Sequence, residues 1–188
     1  MDDPLAVVLG FLEAYGHLDV GDPSPGAFGE LDLRLANRGG ARISAAEIGL
    51  TLGRGRRIER ALGAIAADAS LAGPASAVPW MPLEQLFDAF AGIRGVGFSK
   101  MTKTLHRKRP ALIPMLDSVV QKYLEDDDVG PHVAFGARGL AFVRGYKRDL
   151  DSNAAPVRAV RQELTRHGYE LTEVRILDVL IWAVAAAG

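Results

Sequence analysis

The sequence predicts an all-α fold, and three observations carry that prediction. Apolar residues recur at helical spacing along most of the chain, as in Val7, Val8, Phe11, Leu12 and Tyr15, or Leu83, Leu86, Phe87 and Phe90, which lines one face of a helix. Helix-start residues stand before several of these runs: Asp3-Pro4, Ser44 with Glu47, and Thr172. Strand-type alternation is confined to Leu31, Leu33 and Leu35. At 188 residues the chain suits a single all-α domain, since domains run to about 100–200 residues. A division into two lobes, 1–75 and 76–188, with the C-terminal segment completing the core, stays open.

Taken in order, Asp3 caps a first helix and Pro4 suits its first position, where a missing N–H costs nothing. Gly16 to Gly26, with two prolines, reads as a loop. Phe28, Leu31 and Leu35 share one helical face, so 28–35 reads as a helix, with a short strand as the alternative. Asn37-Arg38-Gly39-Gly40 stops it. Ser44 and Glu47 fit a capping box, in which hydroxyl and carboxylate each accept a free backbone N–H. Gly53 and Gly55 break that helix, and a second runs from Arg57 to Ala67. Asp68 to Met81 holds Gly73, Pro74 and Pro79 and reads as a linker. Helices follow over Pro82–Ala91, Phe98–His106, Asp117–Leu124, Ala134–Leu150 and Pro156–His167. Thr172 caps the last, which turns Val174, Leu177, Leu180 and Ile181 inward. The total is about nine or ten helices, with no internal repeat. Glu30 with Arg34 makes a surface pair at one-turn spacing, and Arg175 with Asp178 a partly buried pair in the last helix.

Composition narrows the function. Hydrophobic residues are 48% and charged residues 24%, a globular balance that excludes wholesale disorder. The absence of cysteine removes disulfides, thiolate zinc sites, iron–sulfur clusters and a Cys nucleophile together. No apolar run approaches the ~18 residues of a membrane span; the tail from Val174 to Ala187 is interrupted by Arg175 and Asp178. Met-Asp-Asp-Pro lacks the basic start of a secretory signal. These features suggest a soluble cytoplasmic protein. The histidines His17, His106, His132 and His167 show no paired metal spacing, and Glu125 to Asp128 reads as a solvated helix end.

The formal net charge is −1, which excludes a uniformly basic coat but not a basic face. From Ala89 to Leu116, 28 residues, there is no Asp or Glu, while Arg94, Lys100, Lys103, Arg107, Lys108 and Arg109 all fall there. The rest of the chain has 16 basic and 23 acidic residues, a balance of −7 against +6 in this stretch. In its middle lies Ile93-Arg94-Gly95-Val96-Gly97-Phe98-Ser99-Lys100. Two glycines separated by one residue, between short amphipathic helices, form a tight hairpin with Val96 as its plug. The helix after it starts with unpaired N–H groups and the positive end of its dipole, which suits an anion such as a phosphate. A plain helix–helix turn with a solvated basic face is the alternative. A second cluster, Arg54, Arg56, Arg57 and Arg60, reads equally as a DNA grip or a solvated face. Asp117 ends the acid-free stretch after Pro114-Met115-Leu116, and as a preferred cap residue it suits a helix N-cap.

Gly95-Val96-Gly97 followed 20 residues after Gly97 by Asp117, within Pro114-Met115-Leu116-Asp117-Ser118-Val119-Val120, resembles the helix–hairpin–helix DNA glycosylase superfamily. The likeness covers Leu86 to Tyr123. It implies a glycosylase-like helical domain in which Arg94, Gly95, Val96, Gly97, Ser99, Lys100, Lys103 and Lys122 meet DNA and Asp117 is the essential catalytic aspartate. Bifunctional members carry a lysine where this chain has Ser99. Lys100 follows one residue later, about 100° around the helix, so the resemblance implies a monofunctional hydrolase. Met101 and Ser118-Val119 also depart from the family pattern. The aromatic residues Trp80, Tyr123, Tyr146 and Trp182 are candidates to stack on an extruded base, each also suited to the core; Trp182, in the most apolar helix, is expected to be buried. The resemblance implies DNA as partner, no cofactor and no metal, no membrane, and a monomer. A DNA-binding module of the same fold without catalysis, and an interaction protein with a structural hairpin, stay open beside the glycosylase.

Overall fold

The computed structural model describes residues 3–15, 24–124 and 133–187. Among them are ten α-helices, one 3-10 turn at Ala75–Ala77, and no strand. The helices are α1 Pro4–Tyr15, α2 Glu30–Arg38, α3 Ala45–Leu52, α4 Gly55–Gly63, α5 Trp80–Asp88, α6 Phe98–His106, α7 Ser118–Tyr123, α8 Phe135–Ser152, α9 Ala154–Arg166 and α10 Glu173–Ala187. The run Glu125–Asp128, His17 and His132 lie outside the described residues.

The local signals operate as expected. Asp3 Oδ1 accepts from Ala6 N at 3.0 Å. Glu47 accepts from Ser44 N at 2.8 Å while Ser44 Oγ accepts from Glu47 N at 3.3 Å, the reciprocal capping box. Thr172 Oγ1 accepts from Arg175 N at 3.1 Å. Glu30 and Arg34 form the surface pair. Two expectations are corrected. In α2 the buried side chains are Leu33 and Ala36, while Leu31 is 66% exposed; Asp32 turns inward to pair with Lys108, which rotates Leu31 to the outside. Trp182 is 43% exposed rather than buried. Val174, Leu177 and Ile181 already fill the inward face of α10, and one residue beyond Ile181 is about 100° around the helix. Trp182 packs edge-on against Phe11 at 6.3 Å.

α5 and α8 pack side by side, and glycine permits the close approach. A Cβ on Gly136 would stand 2.6 Å from the Glu84 carbonyl oxygen, and one on Gly139 would stand 2.6 Å from Phe87 Cδ2. Ala134 has no side chain to cap α8. Asp88, at the end of α5, does so instead, accepting from Gly136 N at 2.7 Å. This seam also anchors the hairpin: Phe98, the first residue of α6, stacks on Phe135 at 4.4 Å and meets Phe142 edge-on at 5.5 Å. α10 packs against α1, α7 and α9 and also touches α8.

The connector from α6 to α7 is tied at several points. Thr102 Oγ1, itself bonded to Phe98 O, accepts from Leu116 N at 2.9 Å. His106 Nδ1 lies 2.7 Å from Ile113 O; a carbonyl only accepts, so Nδ1 carries the proton. Leu71 N donates to Ala111 O at 2.9 Å and Thr172 Oγ1 to Pro110 O at 2.9 Å. The Arg109 guanidinium, 2% exposed, donates to the carbonyls of Pro25, Leu62, Ile65 and Lys108.

Candidate functional site

The hairpin forms over Ile93 to Phe98. Val96 N donates to Ile93 O at 3.1 Å, and Val96 is buried as the expected plug. Gly95 has φ +83 and is exposed, a conformation that disfavours any residue with a Cβ. Gly97 is the exposed N-cap of α6 and offers no side chain to it. No side chain caps the first turn of α6, whose N–H groups begin at exposed Gly97.

The charged residues divide. Arg94 and Lys122 are exposed, and Ser99 and Lys103 are half-buried. Lys100 is held by Glu47, with Nζ 2.7 and 2.8 Å from the two carboxylate oxygens. The Lys100 hydrogen bond, followed by the one from Ser44 N, keeps the Glu47 carboxyl below the usual carboxylate range. A Cβ on Gly95 would overlap Glu47 Oε1, so this carboxylate rests against the glycine hairpin, and glycine is what admits it. Lys108 and Arg109 point inward: Lys108 pairs with Asp32 at 2.7 Å and donates to Ser24 O at 3.1 Å. Two of the six cations between Ala89 and Leu116 are therefore core residues and a third is neutralised. Sequence reasoning missed Glu47, whose capping-box role was visible but whose second partner lies 53 residues away.

Asp117 caps α7. Its Oδ1 accepts from Val119 N and Val120 N, each at 3.0 Å, and it is half-buried. Oδ2 receives no hydrogen bond among the described residues. The connector runs back along α6, pairing His106 with Ile113 and Thr102 with Leu116. Leu116, the residue before Asp117, is thereby held against Thr102 of α6. Gln121 Nε2 bonds Leu116 O at 2.8 Å and closes the corner.

Behind Asp117 lies a buried carboxyl that sequence reasoning took only as half of a helix pair. Asp178 is 4% exposed; Oδ2 accepts from Met115 N at 3.2 Å, and Oδ1 is buried without a hydrogen bond. Burial pushes it up to about 7, against the opposing pull of Arg175, the Met115 N–H and Tyr146, with Asp117 adding to the rise. The folded carboxyl thus holds a proton that the unfolded one loses near pH 4, so its burial cost is absent in acid and grows as pH rises to about 7. Asp178→Asn removes that cost and keeps an acceptor for Met115 N. The variant is expected to melt several degrees above wild type at about pH 8 and only about a third as far above it at about pH 5. Equal shifts at both pH values in thermal unfolding would show that Asp178 does not titrate in this range.

The aromatic candidates separate as well. Tyr146 is fully buried, its hydroxyl bonded to Val174 O at 2.6 Å, and cannot stack on a base. Trp80 is half-buried under the Arg144 guanidinium at 5.5 Å. Tyr123 is 51% exposed and, with Val157, Val160, Leu177 and Ile181, lines an apolar cavity of about 290 Å³. A wider cavity of about 540 Å³ lies along α9 between Arg158, Arg161, Arg166, Glu170 and Glu173. Neither includes Asp117 or a hairpin residue. No group of three metal-ligating side chains occurs among the described residues, and no described helix is long and apolar enough to cross a membrane.

The family model of DUF6308, described as a family of unknown function, matches residues 40–185. The chain belongs to the DUF6308 family. No curated protein and no solved structure matches it. In this DUF6308 member the matched region holds the hairpin, Glu47, Asp117 and Asp178, and begins after α2.

Proposed function

We propose that the protein binds DNA through the hairpin and hydrolyses the N-glycosidic bond of a damaged or modified base, with Asp117 as the catalytic carboxylate. The observation that carries this reading is the return of the connector along α6. It ties Leu116, the residue before Asp117, to Thr102 of α6, while Asp117 is half-buried and no side chain caps the N-terminus of α6, and these features support the reading.

The chemistry follows from that placement. A stacked base hides its glycosidic bond, so the nucleotide must be extruded. The α6 amides, Arg94 and Lys103 hold the flanking phosphate. As the bond from C1′ to the base nitrogen breaks, the base leaves with the bonding pair and the sugar becomes cationic. The Asp117 carboxylate stabilises that charge. Water then bonds to C1′ and its proton passes to Asp117 or to the departing base. Tyr123, Trp80 and Trp182 are the aromatic candidates with exposed or half-exposed rings able to stack on the base.

The second reading is a DNA-binding module without catalysis, and the observation in its favour is that neither cavity includes Asp117. One experiment separates the two. Labelled duplex is titrated at several salt concentrations, then incubated with a panel of damaged bases and cleaved with alkali. Salt-dependent binding with cleavage at one lesion is expected, and Lys103→Ala should flatten the salt slope by about one phosphate contact. Binding without cleavage leaves the module; no binding removes both readings.

A further inference from the structure

Arg42 is the one residue other than glycine with positive φ among the described residues, at φ 55. Residues with a Cβ rarely adopt this conformation, and the loop around Arg42 enforces it. Asn37 Nδ2 donates to Ile43 O at 2.8 Å and Asn37 Oδ1 accepts from Ile43 N at 2.6 Å. Ala41 N donates to Ala36 O at 3.1 Å. Ala41 and Ile43 are both buried and Arg42 between them is exposed. A rigid loop therefore displays one cation at the surface.

That loop lies against the hairpin helix. Lys103 Nζ is 3.9 Å from where a Cβ on Gly40 would stand. Two residues after Arg42, Ser44 begins α3, and its N–H meets Glu47, which pairs with Lys100 and rests on Gly95. The N-terminal turns of α3 and α6 thus meet at Glu47, and both dipole ends favour negative charge there. With Lys100 neutralised and Lys108 and Arg109 buried, the stretch keeps exposed Arg94 and half-buried Lys103 near the hairpin, while Arg107, also half-buried with its Nε enclosed, lies at the far end of α6. To the two near the hairpin Arg42 adds a third from a segment outside it.

We propose that Arg42, with Lys103, forms a second phosphate contact that holds the DNA backbone beside the one on the hairpin. This rests on the DNA-binding reading above. Arg42 positions DNA and takes no part in bond cleavage.

Arg42→Gly tests it, because glycine accepts the positive φ and removes only the side chain. Duplex affinity is measured by fluorescence anisotropy across a salt series. The variant is expected to lower the slope of log K against log salt by about 0.9, which corresponds to about fivefold weaker binding near 0.15 M. Arg42→Lys should restore the slope. Arg166→Ala, which removes one exposed cation on α9, should leave it unchanged. An unaltered slope in Arg42→Gly while wild type binds overturns this inference alone. An equal change in Arg166→Ala overturns it too, as an effect of net charge. No binding by wild type removes the DNA reading and this inference with it.

Discussion

Asp117→Asn is expected to slow base release by about a hundredfold to a thousandfold while duplex affinity stays near that of wild type. The substitution isolates charge from structure. Oδ1 of Asp117 accepts from Val119 N and Val120 N, and an asparagine oxygen caps a helix equally well. The start of α7 and the bond from Leu116 N to Thr102 are then preserved. What disappears is the negative charge that the proposed mechanism requires at the sugar, and a neutral amide neither stabilises a cationic sugar nor takes a proton from water. The readout is strand cleavage by alkali after a single-turnover incubation, with anisotropy on the same duplex. Normal cleavage by the Asn variant would make Asp117 a cap and nothing more.

The second large effect is on stability. Arg109→Met is expected to cost about 3 kcal/mol of unfolding free energy, measured by urea denaturation. The guanidinium is 2% exposed and donates to Pro25, Leu62, Ile65 and Lys108 carbonyls. Methionine fills the space and removes a buried charge, which offsets part of the loss. It leaves several buried carbonyls without donors, and each such group costs roughly 1–3 kcal/mol. Against a typical total of about 5–15 kcal/mol this is a large fraction. Arg109→Lys should recover little, since one ammonium cannot span the positions a planar fork reaches. A denaturation midpoint unchanged by either variant would mean that other donors replace it. Arg109 ties α4 to the segment that leads to Asp117.

These two residues mark the boundary of what could be read in advance. Asp117 followed from its position before a helix and after an apolar run, both local facts, and its cap bonds reach only two and three residues ahead. Arg109 was counted with Arg94, Lys100, Lys103, Arg107 and Lys108 as one basic surface. Nothing within one helical turn of Arg109 signals that its partners stand 44, 47 and 84 residues earlier. Lys100 and Glu47 repeat the lesson from the other side. The capping box was legible in Ser44-Ala-Ala-Glu47, yet its carboxylate also serves a lysine in another helix. Trp182 is expected inward from hydrophobicity alone, which ranks side chains without saying which face of a helix meets a neighbour.

The amino-acid order by itself pointed to about nine or ten helices, to caps at Asp3, Ser44, Asp117 and Thr172, and to the glycine hairpin with Val96 at its tip. Each depends on exchanges between residues a turn apart, which exist before any packing. Tertiary structure alone decided which cations face water, what rests on Gly95, and how Asp178 comes to lie behind Asp117. Burial and ion pairing are set by elements that arrive from distant parts of the chain, and desolvation acts only after they have met.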